Sequence, residues 1–171
     1  MAAVGVPLLG GIVLAARTTS LRVNTTDSMP RGLWHVSPFP GRIRRGMTVT
    51  VCLPKGAAAR LALARNYVSP GPCASGTAPL LKPVAAVAGD VVHVSASGIT
   101  VNSVPVPNSA ALERDAAGRP LRPVSPGTYR VAPGHVWLLS HYNADSWDSR
   151  YLGPVSVTDI RGVARPVWVF R

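Results

Sequence analysis

The chain of 171 residues carries 18 Lys and Arg against 7 Asp and Glu, a formal charge of +11, and 47% of its residues are apolar. That length holds one domain, or one domain and an anchor, with enough apolar residues for a core, and the 16 Gly and 17 Pro favour short strands and turns over long helices. The basic charge comes without the basic helix, zinc motif or aromatic-rich basic sheet that nucleic-acid binding needs, so it reads as a solvated face suited to anionic lipid.

Residues 1–16 are uncharged and mostly Val, Leu, Ile, Ala and Gly. As a helix at ~1.5 Å per residue they span ~24 Å, short of the ~30 Å hydrocarbon core. They read as a signal anchor completed by residues 18–21, or as a signal peptide ending near Ala15-Ala16. Residues 22–171 then form the body. No basic residue precedes the apolar run, and Arg17 and Arg22 follow it, a distribution that by the positive-inside rule favours a cytoplasmic body.

The next stretch, Asn24-Thr25-Thr26-Asp27-Ser28-Met29-Pro30-Arg31-Gly32-Leu33-Trp34, is stiff. Pro30 fixes its own φ and keeps Met29 out of the helical region, and Gly32 permits a turn. A hydroxyl held at one point of an extended segment suits a nucleophile; the same pattern also makes an ordinary turn. Asp27 points away from Ser28, as neighbours on an extended segment do, and is read as solvated.

Strands are expected at 33–36 and, by β-branched alternation, at 48–53, where Pro54 ends the second. A helix over 56–67 turns Arg60 and Arg65 to solvent and packs Leu61 and Ala64. A Gly/Pro/Ser loop spans 69–78. Strands follow at 80–88, 91–94 and 99–101, with turns at Ser97-Gly98 and Asn102-Ser103. Residues 108–126 read as a polar, mobile loop, and strands at 129–131, 136–140, 155–157 and 163–170 complete the chain. The fold class is all-β with one short helix, a partly open antiparallel barrel.

Sixteen of the basic residues are Arg; only Lys55 and Lys82 are Lys. Arg keeps its proton near neutrality, whereas a desolvated Lys can lose it. Lys82 lies in the apolar run 80–88, where Leu80, Val84 and Ala86 share its strand face by parity. Burial among them would lower its amine from ~10.4 towards the range of a working base; the plain alternative is an exposed strand lysine. Cys52 and Cys73 are the only cysteines and lack the spacing of a metal site. They read as a disulfide worth roughly 3 kcal/mol in an oxidising compartment, with two free buried thiols as the alternative. His35, His93, His135 and His141 are scattered and read as structural or surface residues.

Two later stretches give the Ser28 segment a context: Leu80-Leu81-Lys82-Pro83-Val84-Ala85-Ala86-Val87-Ala88-Gly89-Asp90, and Asp145-Ser146-Trp147-Asp148-Ser149-Arg150-Tyr151-Leu152-Gly153-Pro154-Val155. In this order, over about 24–165, the three resemble the type I signal peptidases, most closely their conjugative-transfer branch, the TraF-like peptidases. The resemblance implies Ser28 as nucleophile and Lys82 as general base, a Ser-Lys variant of the catalytic triad. It implies oxyanion donation by the Ser28 backbone N–H and the Thr26 hydroxyl, Ser146 orienting the lysine, and Asp148 with Arg150 as an ion pair beneath the site. Two departures stand out. Pro83 replaces a basic residue and, lacking an N–H, argues for an edge or bulged position; His141-Tyr142 stands where the wider family has Gly-Asp.

The same resemblance implies a cofactor-free, metal-free enzyme on the bacterial inner membrane, its catalytic domain facing the periplasm. The expected partner is an exported precursor, a conjugative pilin subunit, which the enzyme cleaves and in this branch can cyclise. Such a peptide would add as a strand beside the Ser28 and Lys82 segments, with Met29, Leu33 and Trp34 lining pockets, touching the membrane or filling the core. The alternatives are a general leader peptidase, a non-catalytic assembly factor of the transfer apparatus, and a self-cleaving regulator, for which the N-terminal region is too short and too apolar.

Overall fold

The structure, a computed structural model, describes residues 20–170; the apolar segment read as an anchor lies outside them, apart from its last residues. Runs of Val, Ile and Thr broken by Gly and Pro form eleven strands among the described residues. They are β1 Leu21–Asn24, β2 Gly32–Ser37, β3 Thr48–Val51, β4 Leu80–Ala86, β5 Val91–Ser95, β6 Gly98–Val101, β7 Val104–Pro105, β8 Gly127–Arg130, β9 His135–Leu138, β10 Val155–Ser156 and β11 Ile160–Val169. Seven make one antiparallel sheet in the order β1-β2-β11-β3-β4-β9-β10, and four make a second in the order β7-β6-β5-β8. Leu21, expected at the end of the anchor, opens β1 opposite His35.

Two core clusters meet at β9, whose side chains alternate between them. Val136 and Leu138 join Val49, Val51, Val84, Val155 and Ile160, whereas Trp137 and Leu139 join Ala86, Val92, Val94, Ile99 and Val101. At roughly 1.5–3 kcal/mol for each large apolar side chain buried, β9 is a principal weld between the two sheets. β11 is the other organiser. Ile160 and Gly162 pair with β3, Val163 and Ala164 with both β2 and β3, and from Arg165 onward the strand pairs with β2 alone, its register there shifting between Pro166 and Trp168.

Helix α1 covers Ala57–Ala64 and buries Ala59 and Ala62 against Leu53, Val68 and Trp147. Ala64, expected to pack, is exposed, because the helix closes at Arg65, where the Arg65 N–H bonds back to the Leu61 carbonyl and the Asn66 N–H to that of Leu63. A second helix, α2 at Ser149–Leu152, was not expected; the Asp148 side chain caps it by accepting the N–H of Arg150, which satisfies one of its orphan donors. The loop over 108–126 is anchored rather than loose. Asp115 takes the hydroxyl of Tyr67 and the Nε of Arg119, and Leu112 N–H donates to the Tyr151 hydroxyl.

Pro83 lies on neither sheet edge. β4 sits between β3 and β9, and the Pro83 carbonyl accepts from Leu139 N–H. Its missing N–H therefore falls towards β9 just where that strand ends, so the bond that would return from residue 83 to the Leu139 carbonyl is absent at the end of the ladder and not in its middle. The register with β9 then shifts between Val84 and Ala86.

Candidate active site

The connection from β1 to β2 is folded by one side chain. Asn24 Nδ2 donates to the carbonyls of Thr26 (2.9 Å), Met29 (2.9 Å) and Pro30 (3.0 Å). Its Oδ1 accepts from the Thr26 hydroxyl at 2.9 Å and from the Thr26 N–H at 3.3 Å. Pro30 holds the turn stiff, and Trp34 Nε1 closes it by donating to the Pro30 carbonyl at 3.1 Å. Met29 is buried at 2% exposure in a small core with Trp34 and Ala164. At the exit, Gly32 has φ +142°, and a Cβ there would lie 2.2 Å from the Trp168 carbonyl oxygen; only glycine fits that approach of β11.

Ser28 stands half-buried at the head of this loop. Its Oγ lies 3.3 Å from Thr26 Oγ1. Because Thr26 gives its hydroxyl hydrogen to Asn24, the Ser28 hydroxyl is the donor to Thr26 in this arrangement. The Ser28 carbonyl accepts from Ser140 Oγ at 2.6 Å.

Lys82 faces the same cleft from the interior strand β4, opposite Val49. It is 4% exposed, and its Nζ donates to Ser146 Oγ at 2.8 Å. Burial pushes the amine down to about 8, with Asp148 pulling it up and Arg150 pushing it further down. An amine in that range is neutral in a useful fraction near physiological pH and can accept a proton. Among the described residues no hydrogen bond joins Ser28 Oγ to Lys82 Nζ: each hydroxyl and amine is held by its own neighbour, Thr26 and Ser146.

The cleft has a volume of about 640 Å³ and is walled by Thr26, Ser28, Trp34, Leu81, Lys82 and Ser146, among others. Asp148 and Arg150 lie beneath it, fully buried in a two-pronged ion pair: Arg150 Nε to Oδ1 at 2.9 Å and Nη2 to Oδ2 at 2.8 Å. The guanidinium also donates to the carbonyls of Asn108, Ser140, Asn143 and Ala144. A buried pair with its remaining donors satisfied is tolerable, whereas breaking one partner costs about 3–5 kcal/mol. It fixes the 140–146 turn that presents Ser146.

Cys52, just after β3, and Cys73, in the 69–78 loop, are joined by a disulfide. Asn66 to Ser69, between the two cysteines in sequence, and Ala78, just after them, line the cleft. Asp27 forms an exposed ion pair with Arg31, at 2.6 Å. Of the histidines, His35, His93 and His141 are exposed and His135 is half-buried; none lines the cleft. Leu33 is half-buried and Trp34 buried, so the large exposed apolar residues near this end are Val23, Val167, Trp168 and Phe170. Among the described residues no three His, Cys, Asp or Glu side chains gather to hold a metal ion.

Two site residues had no assigned role in the sequence reading. Asn24 opens the Ser28 stretch, and an Asn before a Pro-containing loop is a usable turn signal; its grip on three carbonyls appears only once the loop closes. Ser140 lies 112 residues from Ser28, and no local pattern points to it.

The chain belongs to the family described as signal peptidase, peptidase S26, whose match spans residues 1–169; membership implies peptidase activity. It is 40% identical over 160 residues to a probable conjugal transfer protein TraF of Sinorhizobium fredii, covering 94% of this chain and 83% of that protein. It is 37% identical over 169 residues to a plasmid transfer protein TraF of Escherichia coli, covering 96% and 94%. Among solved structures, a signal peptidase I from Enterococcus faecalis aligns with 71% of this chain and 96% of its own, at 17% identity and a TM-score of 0.40.

Proposed function

We propose that the chain is a membrane-associated serine endopeptidase with a Ser28/Lys82 dyad, maturing an exported precursor of a conjugative transfer apparatus, a pilin subunit in the first instance. The observation that carries this reading is Lys82: a buried amine, lowered to about 8, opening on the cleft that holds Ser28.

In this mechanism neutral Lys82 takes the hydroxyl proton as Ser28 Oγ adds to the scissile carbonyl. The oxyanion is met by the Ser28 N–H and by the Thr26 hydroxyl, which turns from Asn24 to do so. Lys82, now an ammonium, returns its proton to the departing amine as the peptide bond breaks, leaving an acyl-enzyme ester. Water resolves the ester to a linear product, or the precursor's own amino terminus resolves it to a cyclic one. Ser146 keeps the amine aimed throughout.

Three further features support the setting. The relatives' names place those proteins in conjugal and plasmid transfer. The disulfide suits an oxidising compartment, and so a periplasmic catalytic domain. The exposed Trp168 and Phe170 stack edge to face at 4.5 Å, and the Phe170 N–H bonds to the Arg31 carbonyl, so this apolar rim adjoins the nucleophile loop, as a membrane-facing site needs.

The test is the intact mass of a co-expressed pilin precursor with wild type, Ser28→Ala and Lys82→Ala. A shortened product with wild type alone is expected, and a further loss of one water identifies cyclisation. Processing by either variant would overturn the dyad. The rate with wild type should rise with pH through about 8, as Lys82 sheds its proton.

A further inference from the structure

Ser140 is fully buried on the segment after β9, and every polar atom it carries is engaged. Its N–H donates to Asp148 Oδ2 at 2.9 Å, and its carbonyl accepts from Arg150 Nη2 at 2.8 Å. Its hydroxyl accepts from the Tyr142 N–H at 3.2 Å and donates to the Ser28 carbonyl at 2.6 Å. Asn24 takes the carbonyls of Thr26, Met29 and Pro30 and leaves that of Ser28 to Ser140. The backbone of Ser140 thus belongs to the buried ion pair, and its side chain belongs to the nucleophile loop.

We infer that Ser140 is a positioning residue: its hydroxyl locks the Ser28–Met29 peptide onto the Asp148–Arg150 scaffold, setting the nucleophile in register with the base. The same scaffold carries Ser146, and Ser146 holds Lys82. One buried framework therefore places both halves of the site, Lys82 through Ser146 and Ser28 through Ser140. Releasing the Ser28 carbonyl frees ψ of Ser28, and with it the direction of Oγ relative to the loop's N–H groups. A misplacement of about 1 Å costs on the order of 10²-fold in rate. The lysine is untouched by this release, so the effect falls on turnover and not on the titration of the base.

The inference rests on the proposed endopeptidase for its kinetic consequence, while its structural half is read independently. Ser140→Ala and the conservative Ser140→Cys are compared with wild type on a peptide spanning the precursor junction, alongside amide hydrogen exchange of Ser28 and Met29. Ser140→Ala is expected to lower kcat about 10–100-fold with KM within about twofold, to leave the rise of kcat with pH centred near 8, and to speed exchange at both amides. Ser140→Cys, which keeps a weak donor, recovers part of each effect. A folded Ser140→Ala with wild-type kcat and wild-type exchange overturns the inference, as does a loss carried by KM or a shifted pH profile. If Ser140→Ala does not fold, Ser140→Cys is read instead: it must show a kcat below wild type and faster exchange, and equality with wild type in both sinks the idea. Should wild type fail to cleave the peptide, the endopeptidase reading falls, and the exchange rates still decide whether Ser140 clamps the loop.

Discussion

Lys82 is a charge carrier kept where charge is disfavoured, and its stability cost has a defined sign. Its amine titrates near 8 in the fold against ~10.4 in an unfolded chain. Between those values the unfolded chain holds the proton that the folded one has released, so stability rises with pH across that window. Below about 8 both states hold it and the burden is constant, about 3 kcal/mol. Lys82→Met keeps the length and removes the charge. It is expected to abolish processing yet raise the unfolding free energy at pH 7 by about 1–2 kcal/mol, after allowing for the lost bond to Ser146. It should also flatten the slope between pH 8 and 10. Urea unfolding at pH 7 and pH 10 measures both, and an unchanged stability at pH 7 would show that the amine is not strained. The rarity of Lys in an Arg-rich chain, inside an apolar run, was readable beforehand. Strand parity was a weaker guide: it grouped Ala86 with Val84, but the register shift between them sends Ala86 to the other core, because an extra residue in one strand reverses the faces beyond it.

At the scale of elements, the turn from Ser140 to α2 is the part that a linear reading could name but not build. Asp148 caps α2 with one oxygen, takes Ser140 N–H with the other, and pairs with Arg150 through both. Asp148→Asn preserves the outline and leaves a buried guanidinium without its counter-charge. The expected loss is about 3–5 kcal/mol in urea unfolding. The same change removes the charge that holds the Lys82 amine up while leaving Arg150 to push it down. In whatever fraction stays folded, the pH midpoint of turnover should therefore move below that of wild type, and an upward move would refute this account of the electrostatics. The short α2 was invisible in sequence because four residues carry no hydrophobic period; its only signal is the Asp that starts it.

The whole molecule presents its cleft beside an apolar rim. Val23 and Trp168 both pair with Leu33 across β2, and with Val167 and Phe170 they are more than half exposed. Replacing Trp168 and Phe170 together by Ser removes apolar area that is worth little in water but worth about 1.5–3 kcal/mol per side chain once buried in lipid. The pair of changes should slow processing of a precursor embedded in vesicles by at least about threefold, while a detergent-solubilised precursor is processed at the wild-type rate. Equal slowing of both would assign the rim to the fold or the cleft instead of the bilayer.

The sequence by itself determined the β-rich class, the order of the three motif stretches, the short helix near α1, and Ser28, Lys82, Ser146, Asp148 and Arg150 as the residues to examine. The class, the helix and the singling out of Lys82 rest on local signals, namely alternation, turn residues and a lysine unusual where it stands, whereas Ser28, Ser146, Asp148 and Arg150 rest on the resemblance of the three ordered stretches to the signal peptidases. Only the tertiary structure decided that β4 is interior with Pro83 in it, that Met29 fills a core, and that Asn24 and Ser140 hold the Ser28 loop from two sides. Each of these depends on contacts between segments far apart in the chain, where the energy comes from satisfying buried polar groups and filling space. Neither requirement leaves a trace in the neighbouring residues.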